Sequence, residues 1–211
     1  MAALNSTQIT TLLLIAQASI TFLISLRAFS RYFKTHHDLH FILGVAMGTI
    51  AVVGVIGIIG DNYLASFFST KWFRYAAQIV SYFFIFLATL STAERYLRRV
   101  AQWQLIFVAL LLVALFMTPL TPQFANPEVE AIVSLLRGVI TFVISVNYMR
   151  FFLQKGTRFS FLMGLSFLLI AVGIAITTPW YYEQTGLIYL YVGDTTRTVG
   201  LLTLLLTFLI G

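Results

Sequence analysis

Leu187-Ile188-Tyr189-Leu190-Tyr191-Val192-Gly193-Asp194-Thr195-Thr196-Arg197-Thr198-Val199-Gly200, continuing in leucine-rich sequence to Ile210, decides how this chain is read. The stretch is long enough to cross a bilayer, which takes about 20 mostly apolar residues, yet it carries two opposite charges. A charge near the middle of a bilayer costs about 2.5–3.5 kcal/mol on insertion scales, so such residues face a protein interior or a wet cavity and have partners. Asp194 and Arg197 are three residues apart, a spacing that puts both side chains on one helical face. They partly neutralise each other before any other helix is considered.

The same reading extends outward to the whole chain. Of its 211 residues, 60% are hydrophobic and only 9% charged, against about a quarter charged in soluble domains. The chain is therefore an integral membrane protein, expected in the cell (plasma) membrane as a multi-pass protein. No polar stretch is long enough for a second, soluble domain, so residues 1–211 form a single seven-helix transmembrane domain. No basic region precedes the first apolar run, which argues against a cleaved signal peptide. The chain has no cysteine, which excludes disulfides, thiolate metal sites and cysteine catalysis.

Seven segments approach or reach spanning length, near 9–30, 40–60, 72–93, 101–118, 129–150, 159–179 and 187–210. The connections holding Arg31, Lys34 and the histidines, then Arg95, Arg98 and Arg99, then Arg150, Lys155 and Arg158 are basic. The alternate connections hold only Lys71 and Arg74, then no Lys or Arg around 119–130 or around 180–186. By the positive-inside rule the N-terminus is outside and the C-terminus cytoplasmic. The formal charge of +6 thus encodes topology and lipid headgroup contact, and nucleic acid is not expected as a partner.

Shifting the chain by 120 residues lays Ile20-Thr21-Phe22-Leu23-Ile24-Ser25 on Ile140-Thr141-Phe142-Val143-Ile144-Ser145, and Phe41, Gly44 and Ile50-Ala51-Val52 on Phe161, Gly164 and Ile170-Ala171-Val172. The expectation is an all-α, 3+1+3 parallel repeat of the kind seen in some transporters, helices 1–3 answering helices 5–7. The four prolines, Pro119, Pro122, Pro127 and Pro179, fall at helix ends or in one outer loop, so no broken helix is signalled. Gly44, Gly48, Gly54, Gly57 and Gly60 in the second segment read as helix packing.

Helices 1, 3, 5 and 7 all enter from outside, which brings Gln17, Gln78, Arg137, Asp194 and Arg197 to similar depth, with Arg74, Tyr75, Tyr189 and Tyr191 nearer the surface. Asp194 is the one deeply placed carboxylate, so Arg137 is expected to pair with it, leaving Arg197 to share Asp194 or to bind an anion. Three uses of these charges stand open: a structural interhelical ion pair, a polar pocket open to the outside, or a proton or ion path. His36, His37, Asp38 and His40 form the histidine cluster. His36 and His40 would share a face if that stretch is helical, but a solvated cytoplasmic loop is the expected reading and no metal site is assigned. Trp72, Trp103, Trp180, Tyr181 and Tyr182 fall at helix ends, as an interfacial belt does. No phosphate loop, nucleophile elbow or cofactor motif is present, so neither enzyme activity nor a cofactor is expected.

Two resemblances follow from these residues. Asp194 followed by Thr198-Val199-Gly200, with Arg74-Tyr75-Ala76-Ala77-Gln78 in the third segment, resembles helices 7 and 3 of microbial rhodopsins. Thr198 stands in place of their retinal lysine and Ala77 in place of their carboxylate. Lys34, Lys71 and Lys155 all fall outside the segments assigned above, so a retinal Schiff base is not available. Short loops, basic residues at the inner end of helix 1 (Arg27 and Arg31) and an arginine leading an apolar final helix (Arg197) resemble the seven-helix input modules of bacterial membrane sensors. That resemblance implies a non-enzymatic sensor or receptor-like module with a polar outer-half site. Glu94-Arg95-Tyr96 matches the acidic-Arg-Tyr triplet of rhodopsin-like G-protein-coupled receptors, but no Asn-Pro-x-x-Tyr follows in helix 7. A structural or accessory subunit of a membrane complex and a small transporter are the rival classes. Partners expected are membrane lipids, with partner membrane subunits or a cytoplasmic output protein, since no charged anchor follows helix 7.

Overall fold

A backbone in lipid has no water to bond, so each spanning segment closes its own hydrogen bonds as a helix. The computed structural model describes residues 6–63, 70–117, 126–181 and 186–210; Pro119, Pro122 and Tyr182, singled out above, lie outside them. In chain order the helices are α1 (Ser6–Thr35), α2 (Asp38–Tyr63), α3 (Lys71–Leu90), α4 (Glu94–Phe116), α5 (Pro127–Lys155), α6 (Arg158–Thr177) and α7 (Leu187–Ile210), with a 3-10 turn at Thr178–Tyr181 after α6. Each of the seven is long and apolar enough to cross a membrane. No strand is found among the described residues.

The helices outrun the apolar segments that announce them. Arg95, Arg98 and Arg99, assigned above to a connection, lie in the first turns of α4, and Lys34 and Lys155 are still helical. Helices end where the backbone changes, not where the side chains turn polar. His36 (φ 52°) and Gly156 (φ 65°) enter the left-handed region and donate their N–H groups to Tyr32 O and Phe152 O at 2.7 Å. Glycine takes this conformation freely, and it stops each helix in a two-residue connection. His36 and His40 are therefore split by a turn and share no helix face. Asn126 starts α5, its Oδ1 accepting from Glu128 N–H at 3.0 Å with Pro127 in the first turn. In the other direction, α3 stops at Leu90, three residues before the apolar segment ends.

Packing is tightest where glycine lets backbones touch. A β-carbon at Gly173 of α6 would stand 2.6 Å from Gly193 O of α7, and one at Gly200 would stand 2.9 Å from Ile170 N. These contacts fix the rotation of α7, and with it the direction in which Asp194 and Arg197 point. The α1–α2 hairpin is tied by Ser25 Oγ donating to Gly44 O at 2.8 Å, and the α5–α6 hairpin by Ser145 Oγ donating to Gly164 O at 2.7 Å. Gly44, Gly48 and Gly54 pack on Phe29, Ser25 and Ala18 of α1, whereas Gly57 makes room for Arg74 of α3.

The far end of the bundle is solid. Ile24, Leu43, Met47, Ile85, Tyr148, Phe167, Leu204 and Phe208 form one buried cluster, and Arg31 donates to Phe208 O at 2.8 Å. A cation at a helix C-terminus is favourable against the macrodipole. By contrast α4 stands at the edge. Only Leu97, Val100, Ala101 and Gln104 are buried, Gln104 Nε2 donates to Ile42 O at 3.0 Å, and Trp103, Leu110, Val113 and Phe116 are exposed. Such an exposed apolar surface is the face a helix turns to lipid or to another chain.

Candidate functional site: a charged cavity between four helix entrances

Because short connections alternate chain direction, α1, α3, α5 and α7 all begin at the same end of the bundle. There they enclose a cavity of about 420 Å³, within the range of roughly 300–1,000 Å³ typical of small-molecule sites. A rise of 1.5 Å per residue sorts its lining into tiers. Lys71, Glu130, Trp180 and Tyr181 stand at the mouth; Gln17, Gln78, Arg137, Asp194 and Arg197 form the middle; Thr21, Ile50, Tyr82 and Leu201 form the floor. Arg74 also lines the cavity, so the structure gathers all six side chains singled out in the sequence, Gln17, Arg74, Gln78, Arg137, Asp194 and Arg197, around one cavity.

Their pairing differs from the one expected. Arg137 does not reach Asp194; the carboxylate is held within its own helix, by Arg197 Nη2 at 3.1 Å from Asp194 Oδ1. The three-residue spacing closes this pair without any motion of a second helix. Gln17 of α1 completes it from across the interface, its Oε1 accepting from Arg197 Nη2 while its Nε2 donates to Asp194 O at 3.2 Å and to Thr198 Oγ1 at 3.1 Å. Thr198 donates back to Asp194 O at 2.7 Å. Asp194 and Gln17 are both buried.

Arg137 has a different setting, 3% exposed on α5. Its Nη1 donates to Gln78 Oε1 of α3, its Nη2 donates to Ser134 Oγ at 2.8 Å, and the guanidinium lies 4.4 Å from the centre of the Tyr75 ring. All these partners are neutral. Arg137 Nε is buried without a hydrogen-bond partner, and so is Trp180 Nε1 at the mouth.

Two contacts close the rim. Tyr75 OH and Tyr181 OH are 3.0 Å apart, joining α3 to the turn after α6. Lys71 Nζ, 3.4 Å from Glu130 Oε1, joins α3 to α5. Lys71 was placed outside the third segment by hydropathy; it is the first residue of α3 and its side chain lines the cavity. Sequence reasoning missed Glu130 and Tyr82 as cavity residues and Ser134 as a partner of Arg137, and took Trp180 and Tyr181 for an interfacial belt. Helix register from the predicted α5 could have found Ser134, one turn from Arg137; nothing local marks Trp180 or Tyr181.

Among the described residues no group of three His, Cys, Asp or Glu side chains is placed to hold a metal ion. What the chamber offers is hydrogen-bond donors and fixed charges set in a largely apolar lining. Comparison with family models, with curated proteins and with solved structures finds no match.

Proposed function

We propose that this chain is a receptor-like, non-enzymatic membrane module that binds a small ligand in the cavity at the entrances of α1, α3, α5 and α7, with that end outside the cell and the C-terminus in the cytoplasm. The observation that carries the reading is the chamber itself. Buried Arg137 and Asp194, with half-buried Arg197, face an apolar-floored space, where a helix bundle needing only to be stable would have packed side chains. The orientation follows from Arg31 and Lys34, Arg95, Arg98 and Arg99, and Arg150, Lys155 and Arg158, which all lie at the opposite end from the cavity. Binding there would change the relative position of helices that meet at the site, chiefly α5 against α3 and α1 against α7. That makes the plasma membrane the expected location.

A second reading, a small transporter, draws on contacts that recur at a shift of 120 residues. Ser25 to Gly44 answers Ser145 to Gly164, and Thr21 bonding Gln17 O answers Thr141 bonding Arg137 O. The Tyr32–Phe41 and Phe152–Phe161 ring pairs both have centroids 5.2 Å apart. We infer a 3+1+3 duplication from these, and transporters place substrates between such repeats.

One experiment separates the readings. The chain holds no cysteine, so a single introduced thiol reports alone. A Leu14→Cys variant should react with a membrane-impermeant maleimide added outside cells and not with the same reagent added to the outside of inverted vesicles, which present their cytoplasmic face. Reaction from both sides would favour transport; reaction only from the cytoplasmic side would overturn the receptor orientation.

A further inference from the structure

Resting on the reading of the cavity as a binding site, we propose that its ligand is a small organic carboxylate gripped by Arg137. Around the cavity Lys71 faces Glu130, Arg197 faces Asp194, and Arg74 has an interaction of its own. Among the described residues Arg137 bonds Gln78 and Ser134 and lies against Tyr75, and no carboxylate of theirs pairs with it. A desolvated guanidinium without a counter-charge is costly, and a ligand that supplies the missing negative charge recovers that cost on binding.

The geometry sets the shape of the anion. Gln78 and Ser134 hold one hydrogen on each terminal nitrogen, and the Tyr75 ring covers one face of the group. Arg137 Nε–H is buried without a hydrogen-bond partner, and each terminal nitrogen has a second hydrogen. A pair of parallel guanidinium N–H groups is the planar fork that a carboxylate accepts with two bonds. One uncompensated positive charge calls for a monoanion. Leu14, Ile50 and Leu201 supply apolar lining for the rest of the molecule, and Trp180 Nε1 offers one more donor near the mouth. The carboxylate can come from water as a small metabolite or from the bilayer as a fatty acid; both present the same head to Arg137.

The test uses the full chain in phosphatidylcholine vesicles with the single Leu14→Cys substitution. Labelling rates are measured for an anionic (sulfonatoethyl) and a cationic (trimethylammonioethyl) methanethiosulfonate, each divided by its rate with a free thiol in solution. The anionic reagent should be favoured at least fivefold. Adding Arg137→Gln should abolish the preference, whereas Arg137→Lys should retain it but lose the fork. Sodium benzoate should slow labelling severalfold in the parent, less in Arg137→Lys and not at all in Arg137→Gln, and benzylamine should have no effect. Protection by laurate in the vesicles but not by benzoate would also support the carboxylate and assign it to the bilayer. The proposal is overturned if the charge preference survives Arg137→Gln, or if benzylamine protects as well as benzoate. No labelling at all would sink the cavity reading itself, whereas efficient labelling without charge preference sinks only the carboxylate.

Discussion

The α1–α7 side of the cavity and the α5–α3 side face each other with corresponding residues and opposite electrostatics. Gln17 of α1 and Arg137 of α5, like Gln78 of α3 and Thr198 of α7, are 120 positions apart in the chain. On the first side Gln17 bonds Thr198 and the carboxylate and guanidinium lie on one helix, self-neutralised. On the second side the helix 5 position carries the charge and its helix 3 partner is neutral Gln78. The flanking seams differ too. Gly173 and Gly193 let α6 and α7 touch backbone to backbone, whereas the corresponding positions on α2 and α3 are Val53 and Phe73, both buried side chains. One side is a closed, neutral, tightly seated structure; the other holds a cation in reserve. The difference teaches that two halves of one framework can hold their buried charge in different ways, one with its counter-ion and one with neutral partners.

The largest effect should come from breaking the neutral side. Asp194→Asn leaves Arg197 buried without its counter-ion, and severing a buried pair from one side costs about 3–5 kcal/mol. Thermal melts in detergent should show a clear loss, and adding Arg197→Gln should recover part of it. Recovery by Arg137→Gln instead would mean that Asp194 serves the other side, against the pairing described above.

The seam should come next. Gly173→Val puts into α6 the residue that α2 carries at Val53, and overpacking typically costs about 1–3 kcal/mol. Because the obstacle is backbone, Gly193 O, the helices must separate. A melt unchanged from the parent would show that α6 and α7 are no closer than α2 and α3.

The smallest effect is expected at the centre of the charged side. Arg137→Gln removes a cation with no carboxylate to orphan, so melts without ligand should change by less than about 1 kcal/mol or rise, since replacing buried charge by neutral side chains is often neutral or better. A loss as large as that of Asp194→Asn would assign Arg137 to structure and erase the contrast.

What could be read in advance follows from which forces are local. Hydropathy places seven spanning helices because the desolvation of a segment depends on its own residues, and the seventh helix has the expected bounds. Register likewise brings Gln17, Gln78, Arg137, Asp194 and Arg197 to one depth, because rise per residue is constant. The bounds of α4 were misjudged for a reason of the same kind in reverse: Arg95, Arg98 and Arg99 are polar, but a helix continues through them as long as its backbone bonds close.

The sequence by itself determined the class, the number of spans and the tier at which charges gather, since these depend on composition and helical rise. Only the tertiary structure decided who pairs with whom. Rotation of each helix about its axis is set by side chains on its neighbours, and Gly173 and Gly193 turn α7 so that Asp194 keeps Arg197 and meets Gln17. The distance from α5 to that pair, and hence the solitude of Arg137 beside Gln78, Ser134 and Tyr75, is a property of how the helices pack together and of no single one of them.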